Sequence, residues 1–321
     1  MTARQALGHY AVGKVKRLER ITSGLIHASY KVETSTGLYL LQQLHRDLTH
    51  PSLTADYQAV TAHLQKKGLL TQTVVKTARG SLRVKDSHSA WRLLTFVPGR
   101  VYDGPPTSSQ ARRLGEALGH FHLALKDFRY TFKSKFKLHQ WRAVHKKLSQ
   151  LKLMLPEAQF LGGEFPKTFL PADLPKRPIH SDPKISNIVF GTKGKMAMID
   201  LDTCQRHTPL VDLGDALRSW CKTDIRCFRA ALEGYARSSG GYLSKREQGY
   251  IVQVFKLITL ELAARFLIDV SENYYFGWDP KKFKSRREHN LARCRKLIVL
   301  YNQIVAREER LQKSVKDIFK R

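Results

Sequence analysis

In His180-Ser181-Asp182-Pro183-Lys184-Ile185-Ser186-Asn187, a carboxylate stands five residues before an amide, and a further carboxylate, Asp200, follows thirteen residues later. Between them lie an apolar run, Ile188-Val189-Phe190, a glycine-bearing turn, Gly191-Thr192-Lys193-Gly194-Lys195, and a second apolar run, Met196-Ala197-Met198-Ile199. Two apolar runs joined by such a turn predict a β-hairpin. The hairpin would bring Asn187, at its start, close to Asp200, at its end, with Asp182 nearby. Phosphoryl transfer uses this set of groups: a carboxylate to accept the proton of an acceptor hydroxyl, and an amide and a carboxylate to hold a divalent cation on nucleotide phosphates. The plainer reading makes Asp182 and Asn187 turn caps and Asp200 a surface acid. It fits poorly with Asp200 directly after an apolar run, because a carboxylate buried without a partner is costly.

The elements that must position these residues fall into two regions. Val15-Lys16-Arg17-Leu18, Tyr30-Lys31-Val32 and Tyr39-Leu40-Leu41 predict strands. Ser23-Gly24-Leu25-Ile26 supplies the first turn and Thr34-Ser35-Thr36-Gly37 the second. A turn bearing Gly24 between antiparallel strands could cover nucleotide phosphates, although one glycine also suits a plain hairpin. Thr54 to Lys67 has helical spacing, and Trp91 to Val97 predicts a strand ended by Pro98-Gly99. Thr107-Ser108-Ser109 starts a helix through Leu125, with Leu114, Ala117, Leu118, Phe121 and Leu125 on one face. The remainder is mostly helical apart from the hairpin. The chain is expected to be α+β, with a strand-rich first part (1–97) and a mainly helical second part (98–321).

The 321 residues are 42% hydrophobic, enough for a sizeable core. Residues 1–16 are mixed and polar and do not resemble a signal peptide. The most apolar long segment, Ile251 to Val270, carries Lys256, Glu261, Arg265 and Asp269; the last three share one helix face, which predicts an amphipathic core helix and not a membrane span. Cys204, Cys221, Cys227 and Cys294 lack CxxC spacing, so a reducing, cytoplasmic setting is expected and not a disulfide framework or zinc site. The net charge is +29, from 56 basic and 27 acidic residues. Much of the excess lies in 129–147 and 281–296. A field of this sign suits nucleic acid or anionic surfaces and repels polycations. Phe128, Tyr130, Phe132, Phe136 and Trp141 interleave the first basic segment like a base-stacking platform. An amphipathic helix explains their spacing equally well. A nucleic-acid partner is therefore not expected.

The chain resembles the aminoglycoside phosphotransferase and choline kinase superfamily. The resemblance rests on Gly24 to Tyr30, Leu41-Gln42-Gln43-Leu44, Thr95-Phe96-Val97-Pro98-Gly99, Leu114-Gly115, Phe121-His122, the 180–187 loop and Ile199-Asp200-Leu201-Asp202-Thr203. Asp212-Leu213-Gly214-Asp215-Ala216-Leu217-Arg218 and Arg265-Phe266-Leu267 look most like N-acetylhexosamine 1-kinases. The resemblance implies a two-lobed, protein kinase-like fold with ATP between a strand-rich and a helical lobe. It implies Asp182 as the catalytic base, Asn187 and Asp200 as Mg²⁺ ligands, and the Phe96-Val97 backbone as the adenine contact. Asp202 would assist the metal or hold its loop. Gln42 falls where many kinases carry a phosphate-binding lysine, and the 54–67 helix lacks a clear Glu to pair with one.

Other residues admit two readings. Arg218 could anchor substrate, or pair with Asp212 or Asp215, which is the favoured role. His27 could touch a substrate hydroxyl or be a loop histidine. His289, Asn290 and Arg293 could line an acceptor pocket or begin an exposed helix. His180 is expected to brace the loop. The expected activity is transfer of the γ-phosphoryl of ATP, with Mg²⁺, to a small-molecule hydroxyl. The leading acceptor is the anomeric hydroxyl of an N-acetylhexosamine. The alternatives are homoserine, an amino alcohol or an aminoglycoside on the same fold, or a nucleic-acid-associated protein with a vestigial site. The intact Asp182, Asn187 and Asp200 argue against the last.

Overall fold

The computed structural model describes residues 1–21, 27–102 and 104–320. Along the chain the elements are α1 (Ala3–Leu7), β1 (Val15–Ile21), β2 (Ala28–Thr34), β3 (Leu38–Gln43), α2 (Pro51–Lys66), β4 (Val74–Val75), β5 (Val84–Lys85), β6 (Ala90–Thr95) and β7 (Gly99–Val101). Then come α3 (Ser108–Ala124), α4 (Trp141–Gln150), α5 (Pro156–Glu164), β8 (Arg177–Ile179), β9 (Ile188–Gly191), β10 (Met196–Met198) and β11 (Gln205–His207). Six helices follow: α6 (Leu210–Trp220), α7 (Ile225–Ser238), α8 (Lys245–Gln248), α9 (Ile251–Glu272), α10 (Arg286–Val305) and α11 (Glu308–Phe319). They form two compact units: 1–100 with 128–136 and 189–204, and 101–127 with 137–188 and 205–321. Neither is one continuous stretch.

The first unit is built on an antiparallel sheet in the order β1-β2-β3-β6-β4, with β5 also on β6. Alternation along the strands sends Leu41, Trp91 and Leu93 to one face. There they pack with Val32 and with Ala6, Leu7 and Tyr10 of and after α1. Their neighbours Gln42 and Arg92 point the other way and lie directly opposite each other in the β3–β6 register. The Tyr57 ring of α2 lies 4.5 Å from the Arg92 guanidinium. β9 and β10 form the expected hairpin, closed by a 3₁₀ turn at Thr192–Gly194 and by the Gly191 N–H to Lys195 O bond of 2.9 Å. β7 adds to it, and Gly99 lies so near the Phe190 backbone that a Cβ there would sit 2.5 Å from its oxygen.

The segment carrying Phe128 to Phe136 corrects a sequence expectation: it is neither a helix nor an open stacking platform. Asp56 of α2 accepts bonds from the Lys133 and Ser134 amides (2.9 and 2.8 Å) and from the Tyr130 hydroxyl (2.8 Å). These bonds hold the segment extended. The rings of Phe128, Tyr130 and Phe132 pack on one another at 5.5–6.2 Å and are not splayed outward for bases.

In the second unit α3 and α7 cross at contact distance of their backbones. A Cβ on Gly115 would lie 1.9 Å from Ala231 O, and one on Gly234 would lie 2.0 Å from Arg112 O. Gly214 plays the same part between α6 and α9. α9 is buried on nearly every side, which corrects the expectation of a polar face: Glu261 and Asp269 are 1% and 2% exposed. Each is fully bonded, as a buried carboxylate must be. Asp269 accepts the amides of Tyr274, Tyr275 and Phe276 (2.9–3.0 Å) and the Asn290 side-chain N–H (2.8 Å), fixing the turn beyond α9. All four cysteines are buried thiols. Among the described residues no helix is long and apolar enough to cross a membrane.

Candidate functional site

β8 delivers the chain to His180, and side chains of α6 together with His139, just before α4, hold the loop that follows. Asp212, in the first turn of α6, accepts the His180 amide at 2.8 Å and the Ser181 amide at 2.7 Å. Its Oδ2 also accepts His122 Nε2 at 2.9 Å, and His122 Nδ1 shares a hydrogen bond of 2.9 Å with the Tyr235 hydroxyl. Burial alone would raise the Asp212 carboxyl; the His122 bond and the charge around it hold it below the usual range. This grip keeps Ser181 at φ 72°, a left-handed backbone that a serine adopts only when its surroundings impose it. His139 donates from both ring nitrogens, to Glu261 Oε2 (2.7 Å) and to the Ser181 carbonyl (2.8 Å). Both partners are acceptors, so this geometry needs a proton on each ring nitrogen; burial would lower the His139 pKa, but Glu261 outweighs that and raises it. The far end of α6 completes the clamp: Trp220 Nε1 donates to Pro183 O (2.9 Å) and Ser219 Oγ accepts the Ile185 amide (3.1 Å).

Held in this loop, the Asp182 carboxylate accepts from Asn187 Nδ2 at 3.0 Å and from Lys184 Nζ. Asn187 Nδ2 also bonds Asp182 O at 2.9 Å. The Asn187 amide nitrogen is thus used within the loop, leaving its oxygen as the atom free for a cation. His180 Nδ1 accepts the Asp182 amide at 3.2 Å, a bracing contact. Arg218 bonds Asp215 Oδ1 through Nε (3.1 Å) and Nη2 (2.6 Å), the ion pair favoured from the sequence.

The hairpin delivers the chain to Asp200, which adopts φ 64°, ψ 51° before a 3₁₀ turn at Leu201–Thr203. Ligand atoms of His27, Asp200 and Asp202 lie within 4.8 Å of one another, a spacing that can hold a metal ion. Two of the three are already engaged. Both Asp202 oxygens are taken by Arg92, at 2.6 and 2.5 Å. His27 Nδ1 accepts the His45 amide, which leaves the proton on Nε2, 3.4 Å from Asp202. Burial would raise the Asp202 carboxyl, but Arg92 and His27 hold it well below the carboxylate range. Among the described residues no hydrogen-bond partner takes the Asp200 carboxylate, so of the three it alone is not already engaged.

Gln42 is buried, and its Oε1 accepts Arg92 Nε (3.0 Å) and Nη2 (2.7 Å). Arg92 is therefore the cation next to the position where kinases place a lysine, and it was missed in the sequence. Its signal was available: an arginine inside the apolar run Trp91-Arg92-Leu93-Leu94 needs a buried acid. His139 and Glu261 were missed for the mirror reason, since their partners lie far away in the chain. The Phe96 amide bonds Leu38 O (3.1 Å), and Val97 packs with Val189 and Ala197. Gly24 lies outside the described residues. His289 stacks on Phe283 at 4.0 Å and accepts the Asp279 amide, while Arg293 bonds Gly277 O (2.7 Å) and Asn290. These side chains hold the turn between α9 and α10, and Asn290 is fully buried, not part of an exposed helix start.

The sequence matches the phosphotransferase enzyme family over residues 17–247. It is 28% identical to a homoserine kinase of Methylocella silvestris over 75% of each chain. It is 26% identical to one of Zymomonas mobilis over 80% of this chain and 81% of the other. The structure superposes on an aminoglycoside phosphotransferase of Alicyclobacillus acidocaldarius with a TM-score of 0.69 at 14% identity, covering 99% of this chain and 97% of that one. The fold is protein kinase-like.

Proposed function

The chain belongs to the phosphotransferase enzyme family, as a small-molecule kinase with an alcohol acceptor, and we propose that its acceptor is homoserine or a closely similar small amino alcohol. The observation that carries this reading is the name shared by two relatives matched across three-quarters or more of their length: both are homoserine kinases. They favour the amino-alcohol alternative over the anomeric hydroxyl of an N-acetylhexosamine, which rested on the 212–218 and 265–267 stretches alone. The net charge of +29 adds that a polycationic aminoglycoside meets an unfavourable field.

ATP is the proposed donor and Mg²⁺ the proposed metal. The donor chemistry fits: a free asparagine oxygen on Asn187 and a free carboxylate on Asp200 are hard oxygen ligands of the kind Mg²⁺ takes. When bound, the metal would neutralise charge on the phosphates. Asp182 orients the acceptor hydroxyl and takes its proton, and the Asn187 and Lys184 bonds hold its carboxylate in place. Asp212, His180 and His139 fix the loop so that this geometry exists before substrate arrives, which is where an enzyme gains from positioning. The Phe96-Val97 backbone is the proposed adenine contact. Asp215 and Arg218 pair with each other on α6.

ADP release measured in parallel with homoserine, small amino alcohols, N-acetylglucosamine, N-acetylgalactosamine and kanamycin at equal concentration tests the acceptor. Homoserine or another amino alcohol is expected to give the fastest turnover. Faster turnover with an N-acetylhexosamine would overturn the acceptor and leave the kinase standing.

A further inference from the structure

Where many kinases join a β3 lysine to a helix glutamate, this chain has Gln42 on β3 and no acid in that pairing role on α2. Among the described residues the first unit nevertheless has a buried ion pair at that level, Arg92–Asp202. Arg92 rises from β6 directly opposite Gln42, is 1% exposed, and forms a two-pronged bond with Asp202. All but one of its N–H donors are committed, to Gln42 Oε1 and to the two Asp202 oxygens. A guanidinium so engaged, with the Tyr57 ring against its face, is poorly placed to reach out to a phosphate.

We infer that Arg92 is a positioning residue for the metal: by locking Asp202 it presets the left-handed backbone at Asp200, so that the Asp200 carboxylate stands ready for a cation. The inference rests on the proposed role of Asp200 as a metal ligand. Three observations carry it. Asp200 sits in the left-handed backbone region, which is sparsely populated by non-glycine residues although Asp tolerates it better than most. The turn that follows packs on α2, and its one acid is held at both oxygens by Arg92 and flanked by His27. Asp200 itself has no protein partner among the described residues, so what fixes its direction is the grip two residues further on. The ion pair has in effect moved from β3 and α2 to β6 and the metal-bearing segment. Gln42 serves as the neutral acceptor that keeps the guanidinium flat against Asp202.

The test compares binding, not turnover alone. Affinity for a fluorescent ATP analogue is measured across a Mg²⁺ titration for the wild type, Arg92→Lys, Asp202→Asn and Asp200→Ala, with folding checked by cooperative melting. Arg92→Lys keeps the charge but loses the two-pronged bond. It is expected to raise the Mg²⁺ concentration needed for half-maximal nucleotide binding by about 10–100-fold, the usual worth of a residue that orients a metal ligand. Metal-free nucleotide affinity and the KM for the acceptor should stay near wild type. Asp202→Asn should shift the Mg²⁺ requirement in the same direction, which keeps the inference testable if an Arg92 variant folds poorly. Equal weakening of nucleotide binding with and without Mg²⁺ in Arg92→Lys would make Arg92 a phosphate contact and overturn the inference. So would an unchanged Mg²⁺ requirement in both variants while Asp200→Ala abolishes it. If Asp200→Ala itself keeps the wild-type Mg²⁺ dependence, the metal assignment of Asp200 falls first.

Discussion

Replacing His139 with Ala should be among the most damaging single changes in the helical unit, and the damage should depend on pH in a stated direction. The ring is 6% exposed and joins Glu261, 1% exposed, to the Ser181 carbonyl. Without it, Glu261 keeps only the Gln140 amide at 2.9 Å, and a buried carboxylate loses its countercharge. Removing one partner of a buried pair costs about 3–5 kcal/mol. For a unit of this size that lowers the melting temperature by on the order of 10 °C. The pH dependence follows from linkage. The folded pKa of His139 lies above its ordinary 6.5, so the folded state binds the proton more tightly than the unfolded state does. The stability it contributes is fully present below about pH 6.5 and is lost as pH rises through the raised folded value. The gap between wild type and His139→Ala should therefore be widest near pH 6 and shrink towards pH 9. Urea unfolding followed by far-UV circular dichroism, with the slope checked for constancy between variants, reads this gap directly. His139→Gln, which can still donate to one partner, should fall between the two. A gap below about 1 kcal/mol, or one equal at both pH values, would refute the imidazolium pair.

Two further changes test the loop and the helix crossing. Asp182→Asn should lower kcat by roughly 10²–10⁴-fold with little change in nucleotide affinity, and steady-state turnover near wild type would remove Asp182 from proton transfer. Gly115→Ala should destabilise by about 1–3 kcal/mol or more, because its Cβ would meet Ala231 O at 1.9 Å. Gly162→Ala, on α5 with nothing within 4 Å, should be neutral or mildly stabilising in the same thermal melts, and equal effects at the two sites would refute the close crossing.

Local sequence signals nominated the candidate site residues and predicted the frame that carries them. The Asp182–Asn187 spacing, the Ile188–Met198 hairpin and the strand and helix periods are local signals, carried by neighbours a few residues apart, and local geometry follows from them. Tertiary structure decided which charges are at work. Arg92 and Asp202 are 110 positions apart, and His139 and Glu261 122. No periodicity links residues so distant, yet in a dry interior each must find its opposite or not be buried at all. The same rule turned the polar residues of α9 from an assumed solvent face into internal anchors. Asp56 likewise drew the aromatic segment after α3 out of helix, because three bonds to one buried carboxylate outweigh a four-residue spacing that helix and loop satisfy equally. Spacing could nominate Asp200 and Asp202 together; only the packed sheet, with Gln42 opposite Arg92, shows that Asp202 is already engaged.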